Sequence, residues 1–354
     1  MFWIRADGNE QMGAGHLMRC LTIAYELIKI TGDRGDVAFI CADEASAGLV
    51  RNNGYEAAVL GTDYRHMASE FPEIYENISP ENKNTNVILI DSYFVTDEYL
   101  QKMRTLGKTV LIDDLQERAF PVDAVVNYNA FADTAVYEEL YQGTGTKLFV
   151  GDKYIPIREQ FAVCDYLVRD RVEDVLITTG GGDYDNAAGK ILAGLNGCSD
   201  MEDICENTRK LNYHLIIGRF NPYFLKMERL SEKYPWIHVH ANVEDMAAMM
   251  KRCDVAITAG GTTVYELAAV GVPFICFSYA ANQNLLTEYM DKKGIAGYGG
   301  RYYENAKEVI KNIENLFNTV TGDVNVRNMC YLKERGLVDG KGAKRLAEGI
   351  YGLV

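Results

Sequence analysis

Short runs of consecutive apolar residues recur along this 354-residue chain, each followed by a loop and then a stretch with helical spacing. In the first half the runs are Phe2–Arg5, Val37–Cys41, Ala57–Leu60, Val87–Asp91, Thr109–Ile112, Ala124–Val126 and Lys147–Val150. Helical spacing is clearest there at His16–Ile30 and Asp97–Leu106. In the second half the runs are Val172–Thr178, Tyr213–Ile217, Ile237–His240, Val255–Thr258 and Pro273–Phe277. Helices are read near Asn186–Leu195, Pro222–Tyr234, Val243–Arg252 and Val264–Ala269. Strands that are apolar on both faces and alternate with helices belong in a parallel sheet covered on both sides. The pattern runs twice, with a join near Tyr154–Arg171, and a chain of this length is expected to divide its core. The expected fold is therefore α/β, with two facing doubly wound, Rossmann-like domains at residues 1–157 and 172–340. A last amphipathic helix, 341–354, could pack back on the first domain.

Acidic residues outnumber basic ones by 50 to 36, for a net charge of -14, which argues against a nucleic-acid or anionic-membrane surface. A phosphorylated ligand could still be held by backbone amides. The cysteines at 20, 41, 164, 198, 205, 253, 276 and 330 form no CxxC pair, and several fall in apolar patterns. Free thiols and a cytoplasmic location are expected. Arg5 and Asp7 interrupt the start, so no signal peptide is read there. Glu266, Pro273 and paired glycines break the most apolar later segment, Val255–Ala281, so a membrane span is not expected.

Ligands of doubly wound sheets bind at the carboxyl ends of the strands, and four such loops stand out. The first runs from Asp7 through Gly13, Ala14 and Gly15 to His16. Its glycines clear space for a ligand, and His16 opens a helix whose positive end disfavours a protonated ring, leaving it a candidate general base. Capping of that helix is the plainer alternative. Gly13 and Gly15, with Asp43 after the next strand, also resemble a dinucleotide fingerprint, but Met18 takes the place of its third glycine. In the second region, Asp91, Ser92 and Tyr93 end a strand, where Asp91 and Tyr93 offer polar groups to a sugar or a water. Asp113-Asp114 ends the following strand, one carboxylate capping the turn and the other free to face a ligand. Asn127-Tyr128-Asn129 follows another strand, and its amides suit hydroxyl groups.

The third loop, Thr178-Thr179-Gly180-Gly181-Gly182-Asp183, lets backbone amides approach a diphosphate, and it lacks the GK[ST] ending of a Walker loop. The fourth, Ala259-Gly260-Gly261-Thr262-Thr263-Val264-Tyr265-Glu266, offers amides and hydroxyls to phosphate. Glu266, on an otherwise apolar helix, could accept from both hydroxyls of a ribose. Asn282 and Gln283 follow a later strand and could complete these contacts. His238 and His240 alternate on one strand face, but no third ligand has suggestive spacing, so a structural role is expected. No metal and no cofactor are expected.

The segments Ala259–Glu266 and Ala269–Pro273 resemble the nucleotide-binding signature of GT-B proteins related to the MurG glycosyltransferase. Arg5–Gly8 and Gly13–Cys20 are similar to the PseG family, UDP-2,4-diacetamido-2,4,6-trideoxy-β-L-altropyranose hydrolases of pseudaminic acid biosynthesis. The similarity continues through Ile90–Tyr93, Asp113-Asp114, Asn127–Asn129, Tyr154–Glu159 and Thr179–Asp183, and covers most of residues 1–290. Related chains named as spore-coat polysaccharide proteins share these segments. Extra residues, relative to compact members, fall around Tyr64–Lys83 and Cys198–Asn207. The resemblance implies a GT-B fold and metal-free, inverting hydrolysis of the bond between the anomeric carbon and UDP. It implies His16 as the base that activates water, Tyr93 near the sugar, and Glu266 on the ribose.

The expected substrate contacts are Asp7, Gly13, Gly15, Asp91, Asn127, Asn129 and Arg158 in the first half. In the second half they are Gly180, Gly181, Gly182, Gly260, Gly261, Thr262, Thr263, Glu266, Asn282 and Gln283. The expected partner is a UDP-amino-sugar, with no nucleic acid, no stable membrane association, and a monomeric or weakly homo-oligomeric chain. A GT-B glycosyltransferase using a UDP-amino-sugar donor, or a non-catalytic sugar-nucleotide-binding protein, are the alternatives.

Overall fold

The computed structural model describes residues 1–354 apart from 10–12, 14, 163–164, 181–182, 205–208, 218–220 and 242. The chain divides into two compact units, Met1–Arg158 with Lys341–Val354, and Glu159–Gly340.

The first unit is built on β1 (Phe2–Ala6), β2 (Val37–Cys41), β3 (Glu56–Val59), β4 (Val87–Asp91), β5 (Lys108–Ile112), β6 (Ala124–Asn127) and β7 (Lys147–Val150). Among the described residues these form a parallel sheet in the order β3-β2-β1-β4-β5-β6-β7. Every residue of β2, β4 and β6 is buried, as apolar runs covered by helices on both faces require. The order reverses direction at β1, whose neighbours are β2 and β4, so the loops after β1 and β4 diverge and leave room above their ends.

Helix Gly15–Thr31 follows β1 and buries Leu17, Cys20, Leu21, Ile23, Ala24 and Leu27. Its outer side is covered by the C-terminal helix Gly342–Tyr351, which buries Ala343, Leu346, Ala347 and Ile350. The Tyr351 ring stacks on Phe2 at 6.0 Å, and Arg345 and Lys147 tie this helix down by donating to Lys153 O and Gly352 O. Gly342 is a close approach: a Cβ there would strike the backbone of Tyr154 and Ile155. The segment between β3 and β4 is anchored by one buried ion pair. Arg5 Nε and Nη2 donate to Glu70 Oε2 and Oε1 at 2.8 and 2.5 Å, while Met67, Ile74 and Ile78 enter the core.

The second unit contains β8 (Asp174–Thr178), β9 (Asn212–Ile217), β10 (Ile237–Ala241), β11 (Val255–Ala259), β12 (Phe274–Ser278) and β13 (Gly297–Arg301). Its described strands form a parallel sheet in the order β10-β9-β8-β11-β12-β13. The last strand escapes a reading by apolar runs because its sequence is Gly-Tyr-Gly-Gly-Arg. It is held by pairing with β12 and by helix Ala306–Gly322, whose Val309 and Ile313 fill the space above the glycines. That helix and Val324–Leu337 were not among the expected elements, because their apolar residues are spaced among many charged and polar ones. Helix Asp97–Met103 also ends earlier than the expected Leu106, at a turn leading to Gly107, which lies against the Asn86 backbone.

Leu346 is fully buried between the terminal helix and its neighbours, so Leu346→Ala is expected to destabilise the first unit by about 2–5 kcal/mol. The two tryptophans fall one in each unit, so Trp3 fluorescence in a Trp236→Phe background during urea unfolding reads the first unit alone. An unchanged midpoint would show that the terminal helix does not brace this unit.

Candidate functional site

In the first unit, four neighbouring strands deliver polar side chains to one place. His16 is the second residue of helix Gly15–Thr31, and Asp91 is the last residue of β4. The two meet with Nδ1 of His16 2.6 Å from Oδ1 of Asp91. Arg19, one helical turn beyond His16, lies on the same helix face. Its Nε and Nη2 donate to Asp91 Oδ2 and Oδ1 at 2.6 and 2.5 Å, and Nη1 donates to Asp114 Oδ2 at 2.8 Å and to the Tyr128 hydroxyl at 2.6 Å. Asp114 also accepts from the Tyr93 hydroxyl at 3.0 Å and from Asn129 Nδ2 at 3.0 Å. The Tyr93 ring stands edge-on to His16, with centroids 4.9 Å apart. Arg19, Asp91 and Tyr128 are buried, His16 is 9% exposed, and Tyr93 is 41% exposed. Tyr93 is thus the member most open to solvent.

Charge pairing dominates the electrostatics here. Burial alone would push Asp91 up, but the Arg19 guanidinium and His16 hold its carboxyl well below the usual carboxylate range. Burial and the Asp114 carboxylate both push the Tyr93 hydroxyl up, so it remains a hydrogen-bond donor at neutral pH.

Several expected contacts turn out to hold the loops in place. Asp7 is 2% exposed, and its oxygens accept from Arg5 Nη1 and from the Ala42 amide at 2.5 and 2.7 Å, so it braces the loop instead of presenting a free carboxylate. Gly13 has φ +77°, a backbone turn that favours glycine, and Gly15 opens the helix with open space where a Cβ would be. Asn127 is fully buried, donating to the Tyr137 hydroxyl and accepting from the Asn129 amide, and so supports Asn129 from beneath. Asp113 accepts from the Leu115 and Gln116 amides and shapes the turn. Asp43 caps helix Glu44–Asn52, which removes the acidic member of the dinucleotide fingerprint. Arg158 ends the first unit and is half-buried.

In the second unit, Gly180 follows β8 with φ +85°, while Gly181 and Gly182 lie outside the described residues. Asp183 is buried, with its carboxylate accepting from the Ala187 and Ala188 amides at the start of helix Ala187–Leu195. The Gly260 amide, expected to meet a phosphate, instead donates to Phe277 O, and a Cβ would strike Thr287 and Gln283, so its smallness serves packing. Gly261 is exposed at the start of helix Thr262–Val270, with Thr262, Thr263 and Glu266 half-buried along it. Gln283 Oε1 accepts from the Tyr279 amide, so the turn uses that carbonyl, whereas Asn282 is exposed. Beside these loops Tyr279 and Tyr302 stack at 5.7 Å, and the Tyr302 hydroxyl donates to Asp185.

The third imidazole near His238 and His240 comes from another strand. His214 of β9 is register partner of His238 and stacks on it at 4.8 Å. Its Nε2 donates to Asp174 at 2.9 Å, which leaves Nδ1 to accept from His240 Nε2 at 3.0 Å. No group of three or more such side chains is arranged to hold a metal ion among the described residues. No described helix is long and apolar enough to cross a membrane.

Sequence reasoning passed over Arg19 and Asp114 as a pair. One available signal was a lone arginine on a helix whose other inward positions are Leu17, Cys20, Leu21 and Ala24.

The two parallel-sheet units and their strand-end loops define the GT-B fold. The crystal structure of Acinetobacter baumannii MurG shares it, at a TM-score of 0.66 and 14% identity, covering 99% of each chain. Residues 195–323 match the Glycosyltransferase family 28 C-terminal domain. The chain is homologous to the spore coat polysaccharide biosynthesis protein SpsG of Bacillus subtilis, 26% identical over 353 residues, covering 97% of this chain and 95% of that protein. It is also homologous to a Campylobacter jejuni protein named UDP-2,4-diacetamido-2,4,6-trideoxy-beta-L-altropyranose hydrolase, 25% identical over 294 residues, covering 82% of this chain and 96% of that one. An uncharacterized Methanocaldococcus jannaschii relative is 26% identical over 282 residues, and the chain spans 54% of its length.

The histidine stack predicts an acid-sensitive second unit. Burial, followed by the neighbouring His214, lowers His238 and brings His240 down to about 4, against an unfolded value near 6.5. Arg252 adds to the repulsion, and Asp174 opposes it at His238. The unfolded chain therefore binds protons first, so stability is full above about pH 6.5 and falls toward pH 4. Urea midpoints read by Trp236 in a Trp3→Phe background should drop across this window, and His240→Gln should flatten the drop. A midpoint that is level from pH 6.5 to 4 would contradict this account.

Proposed function

We propose that this chain hydrolyses a UDP-sugar, cleaving the anomeric carbon–oxygen bond with inversion and releasing UDP and a free sugar. The observation that carries the reading is the His16–Asp91 pair, set beside Tyr93 at the carboxyl ends of β1 and β4. A carboxylate can only accept, so Nδ1 of a neutral His16 carries the proton toward Asp91 and Nε2 is left as the accepting nitrogen. Water attacks the anomeric carbon as its proton passes to Nε2, while the bond to the diphosphate breaks and UDP departs as an anion. The Tyr93 hydroxyl and Asn129 orient the sugar. A diphosphate is already a competent leaving group, so one positioned base is sufficient chemistry for the step.

In this reading the second unit holds the nucleotide. Gly180 to Gly182, Gly261 and the hydroxyls of Thr262 and Thr263 face the diphosphate, where a helix start favours negative charge. Glu266 accepts from the ribose hydroxyls, and Asn282 completes the contacts. The homologue named as a hydrolase of a UDP-diacetamido-trideoxyhexose supports that sugar class as substrate. No metal or other cofactor, nucleic acid or stable membrane association enters the proposal, and a monomer or weak homo-oligomer in the cytoplasm is the working state. The match to a glycosyltransferase domain favours a second reading, in which His16 deprotonates an acceptor hydroxyl instead of water.

The test incubates the protein with a panel of UDP-N-acetylamino sugars without acceptor and follows UDP by phosphorus NMR and the new anomeric proton by proton NMR. Acceptor-free UDP release with inversion is expected, and His16→Ala should slow it by about 10²–10⁴-fold. Glu266→Gln should raise KM more than it lowers kcat. UDP release only on adding an acceptor would establish the transferase instead, and UDP binding without turnover would make the chain a sugar-nucleotide-binding protein.

A further inference from the structure

We infer that Arg19 is the positioning residue of this site: it fixes the Asp91 carboxylate that sets the His16 tautomer and joins His16 to Tyr93 through Asp114. The inference rests on the proposed role of His16 as base.

The His16 ring is aimed by a 2.6 Å contact from Nδ1 to a buried carboxylate, and that carboxylate is itself held by Arg19. Arg19 Nε and Nη2 occupy both oxygens of Asp91 and fix its plane. Its Nη2 also lies 3.1 Å from His16 Nδ1.

The same contacts select the tautomer. If Nδ1 were unprotonated, it would place a lone pair 2.6 Å from an acceptor-only oxygen. With Nδ1 protonated, that short contact becomes a hydrogen bond and only the longer 3.1 Å approach to Nη2 is left unfavourable. Among the described residues, the charged and titratable groups around the ring are Asp91, Arg19, the Tyr93 edge, Cys20 through its contact with Asp91 and, through the guanidinium, Asp114 and Tyr128. Nη1 binds Asp114, whose oxygen accepts from Tyr93, so one planar group sets the orientation of both side chains that the proposed reaction uses. A lysine ammonium keeps the charge but cannot reproduce the in-plane fork to two carboxylates and a phenol.

Nitrogen NMR of the full-length protein, labelled at its five histidines and assigned with His16→Gln, tests this directly. The native His16 should show a protonated Nδ1 and a bare Nε2 near neutral pH, and an Nε2–H signal would overturn the inference whatever any variant does. Arg19→Lys should mix the tautomers. Arg19→Lys should also lower kcat by about 10–100-fold while KM moves only a few-fold. Folded variants whose His16 spectra match the native one would make Arg19 a scaffold residue only. These spectra need no turnover, so a protein that fails to release UDP but shows the expected His16 behaviour defeats the hydrolase reading and leaves this one standing. UDP release unchanged in Arg19→Lys would do the reverse.

Discussion

One guanidinium organises the first unit. Arg19 is buried, and a buried charge left without partners costs several kcal/mol, so its two carboxylates and its phenol have to be in place together. Asp91 comes from the end of β4, Asp114 from the turn after β5 and Tyr128 from beyond β6. Satisfying one side chain therefore pins three loops to the start of one helix. Removing Arg19 itself would leave the buried Asp91 carboxylate without its cation, a loss that costs about 3–5 kcal/mol.

A second buried arginine does the same for the floor of that loop. Arg5 binds Glu70 through two nitrogens and Asp7 through the third, and Asp7 in turn accepts from the amide of Ala42. The loop bearing Gly13 and Gly15 thus leaves β1 in a direction set by an ion pair beneath it. At the glycine loop before helix Thr262–Val270 in the second unit, Gly260 packs against Thr287 and Gly261 stays open at the helix start. The contrast fits the proposed division of labour, with a charged, braced apparatus for proton transfer in one unit and exposed amides and hydroxyls for a diphosphate in the other.

Much of this was legible before any coordinates. Runs such as Val-Ala-Phe-Ile-Cys and Val-Ile-Leu-Ile-Asp mark buried parallel strands because an apolar run with no alternation has no solvent face. Two rounds of that pattern give two doubly wound units, and the resemblance of the glycine segments to GT-B proteins implies the particular fold. What failed locally failed for physical reasons. β13 carries three glycines in five residues and is a strand only because β12 and helix Ala306–Gly322 make it one. Gly260 read as a phosphate amide, yet the close approach of Thr287 explains its size. Asp7 read as a ligand carboxylate and is spent on Arg5. In each case the residue type was informative and its partner was not.

The sequence by itself determined where the strands run, which loops cap them, and that His16 opens a helix beside glycines, because those are properties of spacing within about twenty residues. Tertiary structure alone decided what His16 and its neighbours touch. Arg19 finds Asp91 72 positions away and Asp114 95 positions away, and His214 finds His240 across a strand pair. Hydrogen bonds and charge pairs act over about 3 Å in space and carry no local period, so no spacing rule announces them. The parallel sheet supplies the missing information by bringing the carboxyl ends of β1, β4, β5 and β6 side by side.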